Sequence, residues 1–339
     1  MKSGWRGALG VAISVALLWW ALRGESPSAV WAVLRESNPW YFLAATTLAT
    51  LSFPMRAWRW QFILEPAAGR LPFAPLWQST AIGMMVNNVA LARAGELARA
   101  FVVTRAVRNV TFTAALASLV VDRLFDMMVI LVLLLIVVTL PGFPADAVVA
   151  GWSVERILTV GAGLALLALV VFAFVAIYPE RMLRVWEWMF GRVAPRFTER
   201  SVVILRSFGS GLGVLRDLRL SATVFVLALA QWLVNGASFW LAFRAVGLDA
   251  PFSAALFLQS LVAMSVAVPS APGFFGVFEA STKVALAVYG VDDTFAVSYA
   301  LGYHLLTFIP ITVIGFWYLW RMGLHVRDFG RQDPPGDAP

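Results

Sequence analysis

Apolar residues fall in long unbroken runs along this chain, not at the spacing of a surface helix or a half-buried strand. Residues 157–178 and 221–243 carry no charge, and 294–320 is interrupted only by His304. Residues 7–22 and 40–55 are uncharged as well. The aliphatic run 127–140 becomes long enough to span if its helix begins nearer Ser118. A hydrocarbon core of about 30 Å needs about 20 such residues in a helix. The pattern therefore predicts an all-α polytopic membrane protein with about six full spanning helices. Two further regions, 74–111 and 252–290, are read as re-entrant hairpins, giving about eight to ten membrane segments. One of them raises a question: residues 250–278 are uncharged, yet "PSAPGFFGVFEAS" (269–281) inserts two prolines, two glycines and Glu279.

Composition agrees with the pattern. Hydrophobic residues make up 60% and charged residues 13% of the 339 positions, with mean hydropathy +0.80, far from soluble norms. Lys2 and Arg6 before an apolar run resemble a signal peptide, but "WWALRGES" is bulky where cleavage would fall, so a retained first helix is expected. There is no Cys, which removes disulfides and thiol nucleophiles, and with only two His no metal cluster or cofactor is expected. The pI near 10.3 fits basic membrane loops without invoking nucleic acid as a partner.

Lys and Arg concentrate on cytoplasmic loops. With both termini cytoplasmic, 20 basic residues lie inside, five lie outside (Arg23, Arg35, Arg156, Arg244 and Lys283), and Arg123 is intramembrane. The inside set counts Arg56, Arg59 and Arg70 as one loop. It also counts the segment 179–220, whose Trp, Met and Phe between arginines predict an amphipathic stretch on the anionic inner surface. This orientation holds only if both hairpins return to the side they entered. Domain organisation is then a single transmembrane unit over 1–325 with a disordered cytoplasmic tail at 326–339.

The hairpins resemble each other. "LPFAPLWQSTAIGMMVNNVALARAGELARA" and "APFSAALFLQSLVAMSVAVPSAPGFFGVFEAS" share Pro-Phe, then Gln-Ser, then a Gly shortly before a Glu. They define repeat units of about 40–140 and 221–320. If one hairpin opens from each side, the repeat is inverted, an architecture that places a site at the midplane.

Ionisable residues at membrane depth are functional candidates because burial there is costly, about 2.5–3.5 kcal/mol even on lenient scales. Arg93, Glu96 and Arg99 fall at i, i+3, i+6 on one face; the plain alternative is an ion-pair ladder at the inner interface. Asp122 and Asp126 share a face around Arg123; the alternative is Arg123 snorkelling inward while paired with an acid. Pro272, Gly273 and Gly276 break the backbone before Glu279, and a helix starting there directs its positive end at an anionic group. The alternative is neutralisation of Glu279 by Lys283 at the outer rim. Tyr303 and His304 form the last group, with a bonded structural histidine as the alternative. Arg56 and Arg59 in "RAWRW" read as interfacial anchors with Trp58 and Trp60.

Three of these stretches resemble a known family. "RAGELARA" (93–100), "DRLFD" (122–126) and "PSAPGFFGVFEA" (269–280) occur in the order and spacing of the flippase-like membrane domain of lysylphosphatidylglycerol synthases, over roughly residues 5–325. Two positions depart from it: Asp122 stands where that family usually has Glu, and Phe274 where a second Gly is common. The resemblance implies a domain that moves an aminoacylated phospholipid or a related lipid between leaflets. It implies no lysylphosphatidylglycerol synthesis, because the soluble aminoacyl-transferase domain does not follow the last helix.

The expected function is a lipid flippase-like transporter of the cytoplasmic membrane and not an enzyme. Arg93, Arg99 and Arg123 would take an anionic headgroup, and Glu96, Asp122, Asp126 and Glu279 would pair with them or with the cationic part of an aminoacylated headgroup. A membrane-embedded enzyme or accessory subunit acting on polyprenyl-phosphate intermediates is the alternative, without a DDxxD-type cluster or catalytic His pair to support it. A small-solute transporter is the third reading. A separate lipid-modifying enzyme or glycosyltransferase is the expected kind of partner.

Overall fold

The computed structural model describes residues 4–90, 94–149, 152–156, 159–161, 163, 166–167, 170, 213–265 and 270–324. Arg93, the amphipathic stretch over 179–212, much of the apolar run 157–178 and the tail lie outside the described residues. Their regular secondary structure is helical apart from one two-residue antiparallel pair, β1 (Val148–Val149) with β2 (Trp152–Ser153).

The helices are α1 (Gly4–Leu22), α2 (Pro27–Glu36), α3 (Pro39–Ala68), α4 (Phe73–Val89), α5 (Gly95–Ala106), α6 (Phe112–Thr139), α7 (Leu218–Ala245), α8 (Phe252–Ser265), α9 (Val277–Val288) and α10 (Asp293–Arg321). Their starts follow local chemistry. Asn38, Thr111, Asp217 and Asp292 each accept a backbone N–H of the first turn through the side chain. Proline opens α2 and α3, where a missing N–H has no consequence.

α7 and α10 are long and apolar enough to cross a bilayer, at 28 and 29 residues. α3 and α6 match them at 30 and 28 residues, but carry Arg56 and Arg59, and Asp122, Arg123 and Asp126, within their length. The expected apolar run 40–55 is thus only the first part of a helix that continues to Ala68. This corrects the reading of Arg56 and Arg59 as loop residues: they are helical and buried.

α3 and α7 run antiparallel through the centre. Asn38 N–H donates to the Ala245 carbonyl at 2.7 Å, and Ser238 Oγ to the Ala45 carbonyl at 2.7 Å. Around this pair the remaining packing is regular. α3 packs on α4 as α7 packs on α8; α4 pairs with α5 as α8 pairs with α9. α5 meets α6 as α9 meets α10, and α4 rests on α10 as α8 rests on α6. α1 lies against α9, and α2 against α10.

The short arms approach at backbone distance. A Cβ on Gly95 would collide with the Gly83 carbonyl and the Asn87 side chain, and one on Gly276 with the Ser14 carbonyl of α1. Without a hydrophobic drive between helices in lipid, such close approach is a main source of association. Gly95→Ala and Gly276→Ala are therefore each expected to destabilise by about 2 kcal/mol or more. Gly163→Ala, with open space around it, is expected to be neutral; thermal unfolding in detergent micelles checks the contrast.

Candidate functional site

Two polar clusters occupy the interior, both touching the α3–α7 pair. The first is ionic. Arg56 and Arg59, one turn apart on α3, face Asp122 and Asp126, one turn apart on α6. Arg56 Nη2 donates to Asp126 Oδ2 at 2.9 Å, and Arg59 donates to Asp122. Arg99 of α5 donates to Asp122 Oδ2 at 3.1 Å and lies over the Trp60 ring at 4.0 Å. Trp232 of α7 donates its indole N–H to Asp126 Oδ1 at 2.9 Å. Arg123 bridges Glu96 and Asp126.

Charge counting shows why this cluster is notable. Among the described residues, four guanidinium groups meet three carboxylates, so one positive charge is uncompensated. Arg59 and Arg99 are fully buried, and Arg59 Nε with Arg99 Nε and Nη2 have no hydrogen-bond partner among the described residues. Buried donors without partners are few in native proteins and costly. The cluster is chemically suited to an anion such as a phosphate, whose oxygens match guanidinium geometry.

The second cluster pairs one carboxylate with one imidazole. Glu279, in the first turn of α9, accepts the Gly276 N–H on Oε2 at 2.6 Å. Its Oε1 lies 2.7 Å from His304 Nδ1, and His304 Nε2 lies 2.8 Å from the Gly273 carbonyl. Tyr303 bonds Ser238 at 2.9 Å. Gly273, Phe274 and Gly276 adopt positive φ of 69°, 62° and 86°, which is easy for glycine and strained for phenylalanine. A cavity of about 190 Å³ opens beside this cluster, with Phe53, Asn88, Asn235, Gly273, His304 and Thr307 in its wall. It is smaller than the 300–1,000 Å³ typical of whole-ligand pockets.

The structure thus brings the sequence candidates together in two groups: Glu96, Arg99, Asp122, Arg123 and Asp126 in one, and Gly273, Gly276, Glu279, Tyr303 and His304 in the other, with Pro272 opening the turn of the second. One expectation and one alternative are corrected. Arg56 and Arg59 are not interfacial anchors; they neutralise Asp122 and Asp126, which offsets their desolvation. Trp58 is half-exposed, but Trp60 is buried and donates to Ser118 at 2.8 Å. Lys283 does not neutralise Glu279 either, because it binds Asp293 at 2.9 Å, Glu25 at 3.7 Å and the Ala21 carbonyl. Trp232, Asn88, Asn235 and Ser238 escaped the sequence reading. Arg56 and Arg59 left a signal: two cations three apart on an apolar helix matched two acids four apart on another.

The family description "Lysylphosphatidylglycerol synthase TM region" matches residues 7–315. The chain belongs to that family. Among relatives of this lysylphosphatidylglycerol synthase-like protein is Glycosyltransferase AglD of Haloferax volcanii, 26% identical over 77% of the chain but only 45% of the relative, so the chain spans less than half of AglD. UPF0104 membrane proteins of Methanothermobacter thermautotrophicus and Pyrococcus horikoshii are 24% and 22% identical over 93% and 91% of the chain, and 92% and 93% of their own lengths. It is a multi-pass membrane protein.

Removing one buried acid leaves several guanidinium groups unpaired. Asp122→Asn is expected to destabilise by about 3–5 kcal/mol. Asp249→Asn, which breaks the exposed Arg244–Asp249 pair, should change stability by less than about 1 kcal/mol. Denaturant titration in micelles measures both.

Proposed function

We propose that this protein moves a phospholipid or lipid-linked headgroup between leaflets by alternating access, with the ionic cluster as the anion site. The observation that carries this reading is the matched pairing of the two halves. Exchanging α3, α4, α5 and α6 for α7, α8, α9 and α10 reproduces the packings described among these eight helices, and the equivalent α3 and α7 are antiparallel. That relation supports an inverted repeat, with units of about 40–140 and 221–320 in one transmembrane domain. Such repeats in transporters place the site where broken helices meet, and rocking of one half against the other alternates access.

The arms fit a re-entrant role. α5 and α9 have 12 residues each, about 18 Å at 1.5 Å per residue, against a hydrocarbon core of about 30 Å. Irregular backbone at membrane depth is tolerated where protein buries it or a cavity borders it, as at Gly273 to Gly276. The basic residues outside the ionic cluster still favour the inside set, which supports cytoplasmic termini in the cytoplasmic membrane. Acyl chains would stay in the bilayer while the headgroup alone crosses a polar path.

A second reading has one observation in its favour: a relative bears the name of a glycosyltransferase. In that case the domain would present a lipid-linked sugar acceptor or donor to an enzyme, or act on it. Liposomes containing the purified protein and a fluorescent phosphatidylglycerol separate these readings. Leaflet exchange should run at least tenfold faster than in protein-free vesicles, and Arg99→Gln should abolish most of that gain. Exchange no faster than the bare bilayer, with turnover of a polyprenyl-phosphate donor instead, would establish the enzyme reading.

A further inference from the structure

The two halves place different chemistry at one corresponding position. Arg123 and His304 are 181 residues apart, as are Asp122 and Tyr303, and Gly95 and Gly276. The bonds correspond as well. Arg59–Asp122 on α3 and α6 matches Ser238–Tyr303 on α7 and α10. Arg123–Glu96 matches His304–Glu279. A guanidinium keeps its proton at all accessible pH, so the first half cannot exchange one at this position. Histidine with a carboxylate can.

We propose that the Glu279–His304 pair is a proton-binding site whose occupancy is tied to the closure of the Gly273–Gly276 turn. The proposal rests on the translocation reading and names its coupled ion.

Each heteroatom in the closed pair has its role fixed by geometry. The Gly273 carbonyl only accepts, so His304 Nε2 carries hydrogen. The Gly276 N–H only donates, so Glu279 Oε2 accepts and cannot hold a proton toward it. One contact remains, His304 Nδ1 with Glu279 Oε1 at 2.7 Å, and a hydrogen bond there needs one proton. With none, a lone pair would face a carboxylate; with two, two donors would collide. The closed turn therefore binds one proton, and the pair is neutral whether the proton sits on nitrogen or oxygen.

Among the described residues, no other charged side chain bonds to the pair. Glu279 is fully buried, and the His304 ring lies between Phe275 and Phe278, with centroids at 4.5 and 4.6 Å. Among the described residues, α1 presents Ser14 and Leu18 beside Gly276, α7 presents Ser238 and Phe239, and α4 presents Asn88. Of the titratable neighbours, Tyr303 on α10 is bonded to Ser238. Lys283, one turn along α9, is held by Glu25 and Asp293. The turn itself is poised to open: Phe274 sits at φ 62°, a strained conformation for a residue with a Cβ. His304 and Gly273 also line the cavity, so a headgroup entering there meets the residues that hold the proton.

The direction of the pH effect follows from counting protons. In water an imidazole takes its second proton near pH 6.5 and a carboxylate near pH 4.3. Opened to water, neither group is held to a shared proton. Above about pH 6.5, opening then releases one proton to water and takes the pair from neutral to a charge of minus one; closing reverses this. The open state binds fewer protons, so raising the pH favours opening, by at most about tenfold per pH unit for one proton.

The chain has no Cys, so Ser270→Cys gives a unique site beside the turn for an environment-sensitive fluorophore. In vesicles of phosphatidylglycerol and phosphatidylethanolamine, opening should increase with pH between about 6.5 and 8.5 and stay flat between about 5 and 6. Glu279→Gln should remove the response while keeping the turn closed, because the amide donates to Nδ1 and accepts from Gly276 without a mobile proton. If that variant does not fold, His304→Gln serves the same comparison. An unchanged pH response in either folded variant, or no response in the parent protein, overturns the proposal. A pH response lost in Glu279→Gln without any lipid exchange would refute translocation and leave the proton site standing. Lipid exchange without a pH response would do the reverse.

Discussion

The ion pairs between Arg56 and Arg59 on α3 and Asp122 and Asp126 on α6 are the constraint on which the rest depends. Charged groups are unfavourable to bury singly, and neither helix could bury its charges without the other. Pairing them fixes the face each helix presents. It also draws in Arg99 from α5, Arg123 and Glu96 at its edge, and the Trp232 indole from α7. Four of the helices around the centre are thus tied to one electrostatic knot, and the knot keeps one guanidinium in excess.

Against that knot, the Glu279–His304 cluster in the other half looks sparse. Hydroxyls and an imidazole stand where the first half has guanidinium and carboxylate groups, and the aromatic rings of Phe275 and Phe278 replace charge as packing. The difference in accessibility is large: the Arg123 and Glu96 side chains are 45% and 26% exposed, while His304 and Glu279 are 10% and 0%. One half holds an arginine–carboxylate pair at an accessible edge, and the other a buried imidazole–carboxylate contact beside a strained turn.

Much of the site was legible from residues alone. "DRLFD" and "RAGELARA" declared themselves because charge in apolar sequence has few neutral explanations, and the structure joins them through Asp122–Arg99 and Arg123–Glu96. The break at 272–276 was legible for a similar reason: proline and glycine have local meanings that burial does not erase. Arg56 and Arg59 were misread because an arginine beside tryptophan at the end of an apolar run looks the same whether it anchors at an interface or pairs within a core. The alternative that paired Lys283 with Glu279 rested on one-turn spacing, and the carboxylates it binds, Glu25 and Asp293, lie on other elements.

The sequence by itself determined the solvent, the helical class and the residues that bear charge, since hydropathy and ionisation belong to each side chain wherever it lies. Family membership also follows from it, over residues 7–315. Only the tertiary structure decided which charges meet, that α3 and α7 lie antiparallel, and that His304 closes on Glu279 and not Lys283. Partnership is set by distances between segments far apart in the chain, and those depend on how closely backbones approach at Gly83, Gly95 and Gly276. That geometry has no periodic signature along the chain, so it became readable only once the helices were packed.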